Sequence, residues 1–178
     1  MSILLAIMFA GVVSCSENKT FADERDGKEY RYAKIGSQIW MAENLNYDSP
    51  GSLCYDNDPA MCKNNGSLYN WEMAKKACPK GWHLPCEAEW RTLADFASEK
   101  GAEHYGFVTT PGGWWGSSIH PMEFEYSLYV NNNFDIAFTS PPEFYSVRCI
   151  KGDSIPKNEY SDYLIEQVNK INMEQLSD

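Results

Sequence analysis

The stretch from Cys78 to Trp90 constrains the fold more than any other part of the chain, and it reads C-P-K-G-W-H-L-P-C-E-A-E-W. Pro79 and Gly81 predict a turn, and Pro85 ends whatever element precedes it. A helical pattern opens directly afterwards, so two cysteines, large apolar side chains and a helix start lie within one short span. This combination indicates a corner of a small domain that is braced by disulfides.

The N-terminus predicts export. An apolar run from Ile3 to Val13 is too short to span a bilayer but suits a signal peptide. It ends in Val12-Val13-Ser14-Cys15, which resembles a bacterial lipobox, in which the cysteine is lipidated and becomes the new N-terminus. The alternative is an ordinary cleaved signal in which Cys15 has no role. The polar run that begins at Ser16 favours the lipobox, and a residue other than aspartate there is typical of outer-membrane lipoproteins.

Charge and composition limit the partners. The net charge of −10 argues against nucleic acid, because phosphate binding needs a basic face. It also argues against electrostatic attraction of the whole chain to anionic lipid. Membrane contact is therefore expected through acyl chains on Cys15, which give stable anchoring when several are present. Six tryptophans and eleven tyrosines are enough to fill a packed core.

In an exported chain the cysteines predict disulfides. With Cys15 assigned to lipid, the number that remains is odd, so at least one is free or pairs elsewhere. The remaining cysteines are Cys54, Cys62, Cys78, Cys86 and Cys149. Residues 46–66 are rich in Asp, Asn, Pro and Gly and predict a loop. A bond between its two cysteines would contribute about 2.5 kcal/mol by chain entropy.

Local patterns predict the main elements. Strands are expected at residues 28–35 and 38–41, joined by a two-residue turn, and at 145–150. Helices are expected at 67–77 and 87–100. Glu87 and Glu89 lie in the first turn of the second helix, where negative charge is stabilising, and this favours a structural role over an acid/base pair.

Asp56-Asn57-Asp58 begins like a calcium loop. Pro59 replaces a spacer, and the central glycine and the terminal glutamate are missing at their offsets. A turn is therefore expected here, because Asx residues form turns routinely.

Several ordered motifs are spread along the chain. They are Lys34-Ile35-Gly36, residues 38–45, Leu68-Tyr69-Asn70-Trp71, residues 78–85, Glu89-Trp90, Pro111-Gly112-Gly113 and Ser146-Val147-Arg148-Cys149. Together they resemble the Fibrobacter succinogenes major paralogous domain, a bacterial family whose members are commonly secreted or lipidated. The resemblance implies a domain at 26–152. The lipobox predicts a lipoprotein signal at 1–15, the short polar run after it predicts a tether at 16–25, and a shift in composition predicts a C-terminal amphipathic tail at 153–178.

A second set of motifs bears on the fold. Trp71-x-x-Ala74-x-x-x-Cys78, residues 84–90 and Gly112-Gly113 resemble the formylglycine-generating sulfatase-modifying family, which has a C-type-lectin-like fold. This resemblance implies a compact α+β domain with two helices, a small twisted antiparallel sheet and long loops. It also implies that strand 30–35 neighbours strand 146–150.

The resemblance to the first family also implies a disulfide framework. Cys78 and Cys149 both lie in its motifs and are therefore expected to pair, which leaves Cys54 to pair with Cys62. Cys86 then stands where relatives usually carry a small hydroxyl residue. We expect a buried or half-buried free thiol there, with a reactive thiol as the less favoured alternative.

The first hypothesis for function is a non-catalytic binding or adhesion module in the cell envelope, with polysaccharide as its ligand. Aromatic rings offer flat faces to sugars, although each ring is more often a core residue. The candidate ligand-binding residues are Trp114, Trp115, Tyr126, Tyr129 and Tyr145.

Two other hypotheses belong to different classes. A structural envelope protein would use the amphipathic helix expected at residues 159–176 to recruit a partner protein. An enzyme like the sulfatase-modifying relatives would need a copper-binding cysteine pair, and the second cysteine of that pair is missing. His83, His104 and His120 show no metal spacing, so no catalytic residue, metal or cofactor is expected.

Overall fold

A computed structural model describes residues 19–100, 112–119, 127–140 and 143–154, and two five-stranded sheets form its framework. In the first sheet the order is β1 (Lys19–Ala22), β2 (Glu29–Ile35), β3 (Gln38–Met41), β10 (Ile150–Lys151) and β5 (Trp82–His83). In the second it is β4 (Leu68–Tyr69), β9 (Tyr145–Ser146), β6 (Gly113–Ile119), β7 (Ser127–Asn131) and β8 (Ile136–Thr139). All pairings are antiparallel except the one between β6 and β9.

Three α-helices lie in the described residues, namely α1 (Pro59–Asn65), α2 (Trp71–Ala77) and α3 (Glu87–Lys100), and a 3-10 helix spans Tyr55–Asn57. None of these helices has the length and apolar character that a membrane crossing requires. The expected α+β class is therefore confirmed, with one more α-helix than the two expected from the resemblance.

Two local predictions are confirmed by their capping and turn chemistry. The β2–β3 hairpin turns at residues 36–37, where Gly36 has a φ of 58° and faces the ring of Phe96. Helix α3 begins at the predicted residue. Its Glu89 carboxylate accepts a hydrogen bond from the Cys86 amide at 2.8 Å, which is the returning half of a capping box.

Two boundaries were wrong. The helix predicted at 67–77 begins only at Trp71, because Asn70 caps it by accepting from the Met73 amide at 2.9 Å. The two residues before it form β4, which pairs with β9. The loop predicted at 46–66 contains α1, whose N-cap Asp58 accepts from the Ala60 amide. The expected turn at Asp56-Asn57-Asp58 is a 3-10 helix followed by that cap.

The predicted tether also needs correction. Lys19–Ala22 pairs in register with β2 as an edge strand. The ring of Phe21 stacks on Trp82 with centroids 4.3 Å apart, and Asp23 is buried. Part of segment 16–25 thus belongs to the folded domain, because an apolar ring and a strand partner fix it.

The strands at the two ends of the domain share one sheet but are not direct neighbours. The segment predicted as one strand at 145–150 is divided between β9 and β10, one in each sheet. Ile150 pairs with Trp40 of β3, so β3 lies between β10 and β2. The expectation that strand 30–35 neighbours 146–150 was therefore wrong by one strand.

Tryptophan rings make up much of the core. Trp40, Trp90 and Trp114 are fully buried and pack in sequence, with ring centroids 4.8 and 5.8 Å apart. A second cluster surrounds Tyr69 and Trp115. Burying an aromatic side chain stabilises a domain by about 1.5–3 kcal/mol, so these rings account for a large part of its stability.

Two disulfides brace this core as expected. Cys54 bonds to Cys62, and Cys78 bonds to Cys149, with Cα atoms 5.0 and 5.9 Å apart. The second bond ties the end of α2 to the segment before β10, in the second core cluster. Cys86 is buried and free, which also agrees with expectation.

Candidate functional site

A cleft of about 400 Å³ opens between the start of β2 and the end of α1. One wall is formed by residues 28–31, which enter and begin β2, and the other by residues 63–66 at the end of α1. Asn44, Asn46 and Arg148 also line the cleft. Its volume falls in the range of about 300–1,000 Å³ that is typical of small-molecule sites.

A buried guanidinium forms part of the lining. Arg148 is 1% exposed, and its Nε and Nη2 atoms donate to Oδ1 of Asn44 at 3.0 and 2.6 Å. The same oxygen accepts from Nε1 of Trp114 at 2.8 Å, and the guanidinium lies 5.1 Å from that ring centroid. The asparagine oxygen is neutral, so these hydrogen bonds hold the guanidinium in place without cancelling its charge.

Burial lowers the pKa of Arg148 to about 9, and the nearby Glu43 carboxylate opposes that shift. The side chain therefore keeps its positive charge at neutral pH. A fixed cation at this depth raises the positive potential of the cleft, because the low-dielectric surroundings screen it weakly.

Asn44 also contacts the second wall of the cleft, at the end of α1. Nδ2 of Asn44 donates to the Asn65 carbonyl at 2.9 Å. Gly66 follows with a φ of 79°, and a Cβ there would lie 2.7 Å from both Cβ of Asn44 and the Leu45 carbonyl oxygen. Glycine is thus required for α1 to end so close to the segment that contains Asn44.

Charged side chains line the mouth of the cleft. Arg31 and Glu43 form an ion pair at 2.5 Å, and both are partly exposed. The Lys28 ammonium donates to the Asn46 carbonyl and lies 3.4 Å from Asp26. Lys63 is exposed in the last turn of α1. Four lining residues are cationic and two, Glu29 and Glu43, are acidic, so the lining has a formal charge of +2.

A second polar cluster lies at the start of α3. Nε2 of His83 lies 2.9 Å from Oε1 of Glu89, and its Nδ1 lies 2.8 Å from the Gly152 carbonyl oxygen. Both partners of the ring are oxygen acceptors, and the imidazolium form, which donates from both nitrogens, fits this geometry. Burial alone would lower the pKa of His83, but Glu89 and the carbonyl outweigh it and raise that pKa above its ordinary value.

Cys86 belongs to this cluster, but its surroundings do not activate it. Burial first, and the charge of Glu89 second, raise the pKa of its thiol to about 12. A cysteine nucleophile needs the opposite, a thiolate that is stabilised by a nearby positive charge. His83 lies against the glutamate instead, so the cluster has a structural role at the corner between β5 and α3.

The aromatic residues proposed as a sugar-binding face do not form one. Trp114 and Trp115 are 0% exposed, so that prediction was wrong for both. Trp114 packs between Trp90 and Phe134, and Nε1 of Trp115 donates to the Tyr69 carbonyl. Apolar contacts on both sides hold these rings in the core.

The other proposed aromatics have different positions. Tyr129 and Tyr145 are half-buried and contact each other with ring centroids 4.3 Å apart. The Tyr129 hydroxyl donates to the Gly112 carbonyl. Tyr126, the lipidation residue Cys15 and the helix expected at 159–176 lie outside the described residues.

Sequence reasoning missed the cleft entirely. The local signal for it is weak, because Arg148 occupies a polar position of an alternating strand pattern and Asn44 lies between Glu43 and Leu45. Both side chains are nevertheless buried, which polar groups tolerate when they are hydrogen-bonded. What the sequence does not give is that these two residues are partners, since 104 positions separate them.

Comparison with known proteins identifies one family. Residues 33–106 match the family model of the Fibrobacter succinogenes major domain, which is less than half of the chain. No curated protein and no solved structure matches the chain. The matched range contains the β2–β3 hairpin, α1, α2 and α3, and therefore the second wall of the cleft. Over residues 33–106 the chain is therefore similar to the Fibrobacter succinogenes major domain family.

Proposed function

We propose that the protein is an exported, lipid-anchored binding module of the bacterial envelope and that its cleft binds polysaccharide. The observation that carries this proposal is the open polar cleft, which is lined by amide, hydroxyl and charged side chains. Such groups suit a ligand rich in hydroxyls, because each hydroxyl both donates and accepts hydrogen bonds. Adhesion to a glycan surface would follow from many such modules on one cell.

The chemistry of the described residues favours binding over catalysis. The cleft lining contains lysine, arginine, glutamate, tyrosine, asparagine and glycine, with no histidine, cysteine or serine. The one free thiol in the described residues is buried and has a raised pKa. Cys149 is bonded to Cys78, so it does not supply a thiol for the copper site of the sulfatase-modifying relatives.

The proposal includes a C-type-lectin-like fold. Support comes from a sheet that contains both the first and the last described strands and from the disulfide between residues 78 and 149. Support also comes from the three α-helices that lie between those two strands in the chain. In this proposal the domain extends over residues 26–152 together with the added edge strand β1.

The position of β1 bears on the anchor. Only three residues separate Cys15 from Lys19, the first residue of β1. A chain of that length spans at most about 14 Å. If Cys15 carries lipid in the outer membrane, the domain lies directly against the bilayer, and it binds ligands at very short range from that surface.

Retention on immobilised polysaccharides tests the binding function. The full chain should be retained by at least one glycan, and Asn64→Trp should weaken retention because a bulky ring would obstruct the second wall of the cleft. Glu72→Trp is the matched control, since Glu72 is exposed on α2 and does not line the cleft. Loss of all retention in the unaltered protein, or equal retention by both variants, would contradict the proposal.

A further inference from the structure

The charge of the cleft is opposite in sign to that of the whole chain. The chain carries a formal charge of −10, whereas four cations and two acids line the cleft. An acidic protein repels anions over most of its surface, so a local positive site discriminates strongly by charge. This inference rests on the proposed function and specifies its ligand class.

The positive charges come from both walls and from within the fold. Lys28 lies on the β2 side, Lys63 lies on the α1 side, and Arg148 is buried beside Asn44. Among the described residues, Lys63 has no acidic partner within ion-pair distance. Glu43 is engaged by Arg31 at 2.5 Å, so three cations and Glu29 remain in the lining outside that ion pair.

Neutral hydrogen-bonding groups lie beside these charges. The Oδ1 atom of Asn46 accepts a hydrogen bond from the Ser67 hydroxyl, and this contact orients the side-chain amide nitrogen of Asn46. Asn64 is exposed on the opposite wall. The Tyr30 hydroxyl accepts a hydrogen bond from the backbone N–H of Asn46 at 3.1 Å. This hydroxyl keeps its proton, because burial raises the pKa of Tyr30 to about 12. The cleft thus offers donors for hydroxyls next to cations for an acid group.

We propose that this cleft binds the acidic sugar residues of an anionic polysaccharide. The lysines of the two walls contact the carboxylate or sulfate group, and the asparagine side chains bind the neighbouring hydroxyls. A neutral glycan makes only the hydrogen bonds to its hydroxyls, and an acidic peptide makes only the contacts with the lysines.

Titration calorimetry on the full chain tests this ligand class. Polygalacturonate is charged and its methyl ester is neutral, dextran sulfate and dextran form a second charged and neutral pair, and polyglutamate is an anion without sugar hydroxyls. We expect acidic glycans to bind and their neutral counterparts and polyglutamate to bind at least tenfold more weakly. The two acidic glycans then distinguish carboxylate from sulfate recognition.

Lysine substitutions test whether the preference for acidic glycans arises in the cleft. Lys28→Ala with Lys63→Ala should weaken binding of the acidic glycan about tenfold, and added salt should reduce that difference. Lys76→Ala, an exposed lysine on α2 outside the cleft, should change affinity less than twofold. Lys63 and Lys76 are exposed, whereas Lys28 is half-buried and contacts the Asn46 carbonyl, so binding is compared at a temperature well below thermal unfolding of both variants.

The outcomes separate this inference from the proposed function. Equal affinity for a glycan and its neutral counterpart, or equal effects of the paired substitution and Lys76→Ala, would overturn the anionic class and leave polysaccharide binding intact. Polyglutamate binding as tight as that of polygalacturonate would overturn it in favour of acidic peptides. Absence of binding to every glycan would overturn the proposed function and the inference with it.

Discussion

Arg148 and Asn44 lie 104 positions apart in the chain, and the buried guanidinium donates two hydrogen bonds to the asparagine oxygen, at 3.0 and 2.6 Å. The amide nitrogen of Asn44 continues the contact to the end of α1. One side chain therefore joins the segment before β10, the core ring of Trp114 and one wall of the cleft.

Removing this amide should destabilise the domain strongly. Asn44→Ala is expected to lower the free energy of unfolding by about 3 kcal/mol, because it takes a hydrogen-bond acceptor from a buried charge. Urea unfolding followed by tryptophan fluorescence measures the loss. Asn64→Ala removes an exposed amide on the same wall and should stay within about 0.5 kcal/mol of the unaltered protein. Equal stability of the two variants would contradict this role for Asn44.

The two disulfides should differ in their contributions. The Cys78–Cys149 bond closes a separation of 71 residues and the Cys54–Cys62 bond one of 8. Chain entropy predicts losses of about 4 and about 2.5 kcal/mol when each pair is replaced by alanine. Thermal unfolding of the two paired variants compares them directly. A larger loss for the short loop would show that the long bond does not brace the core as the structure indicates.

His83 should make stability depend on pH. Its pKa is raised in the folded protein, so its contribution is fully present below the unfolded value of about 6.5 and is lost as pH rises through the folded value. The difference in unfolding free energy between the unaltered protein and His83→Gln should therefore shrink as pH increases above about 6.5. The subtraction cancels the titration of other histidines.

Glu89→Gln provides the control for this pH effect, because it removes the carboxylate that holds the imidazolium. In that background the pH dependence of the His83 contribution should be much weaker. A difference that grows with pH, or one that is the same in both backgrounds, would contradict the proposed protonation of His83.

Cys86 should be nearly inert in the folded protein. With its pKa raised to about 12, very little thiolate exists at pH 8, so iodoacetamide should modify it about a thousandfold more slowly than a free cysteine. Peptide mapping by mass spectrometry follows the modification at this residue, and unfolding in guanidinium should restore a normal rate. Rapid modification of the native protein would instead indicate an accessible, activated thiol.

The parts of the fold that follow from local signals could be predicted from the sequence. Gly36 marks the hairpin turn, and the apolar spacing after Cys86 marks α3. Ser67 as a possible cap and the spacing of Leu68, Trp71 and Ala74 predict a helix that includes residues 68–69. Only the pairing of β4 with β9 makes them a strand, and that contact joins distant parts of the chain.

The site was less predictable than the fold. An aromatic residue in a strand pattern fits either a core or an exposed face, so the sequence did not distinguish the buried Trp115 from a sugar-binding ring. The lysines of the cleft look like ordinary surface charges when the chain is considered alone. Their common location depends on how α1 is attached to Asn44, and no local pattern in the sequence encodes that attachment.

Mass spectrometry of the mature protein, purified from bacterial membranes without reduction, tests the central claim of an exported and disulfide-braced lipoprotein most directly. The account predicts an N-terminal peptide that begins at a lipid-modified Cys15, a linked peptide pair for residues 78 and 149, and a second link between 54 and 62. An unmodified N-terminus together with free thiols at Cys78 and Cys149 would contradict it.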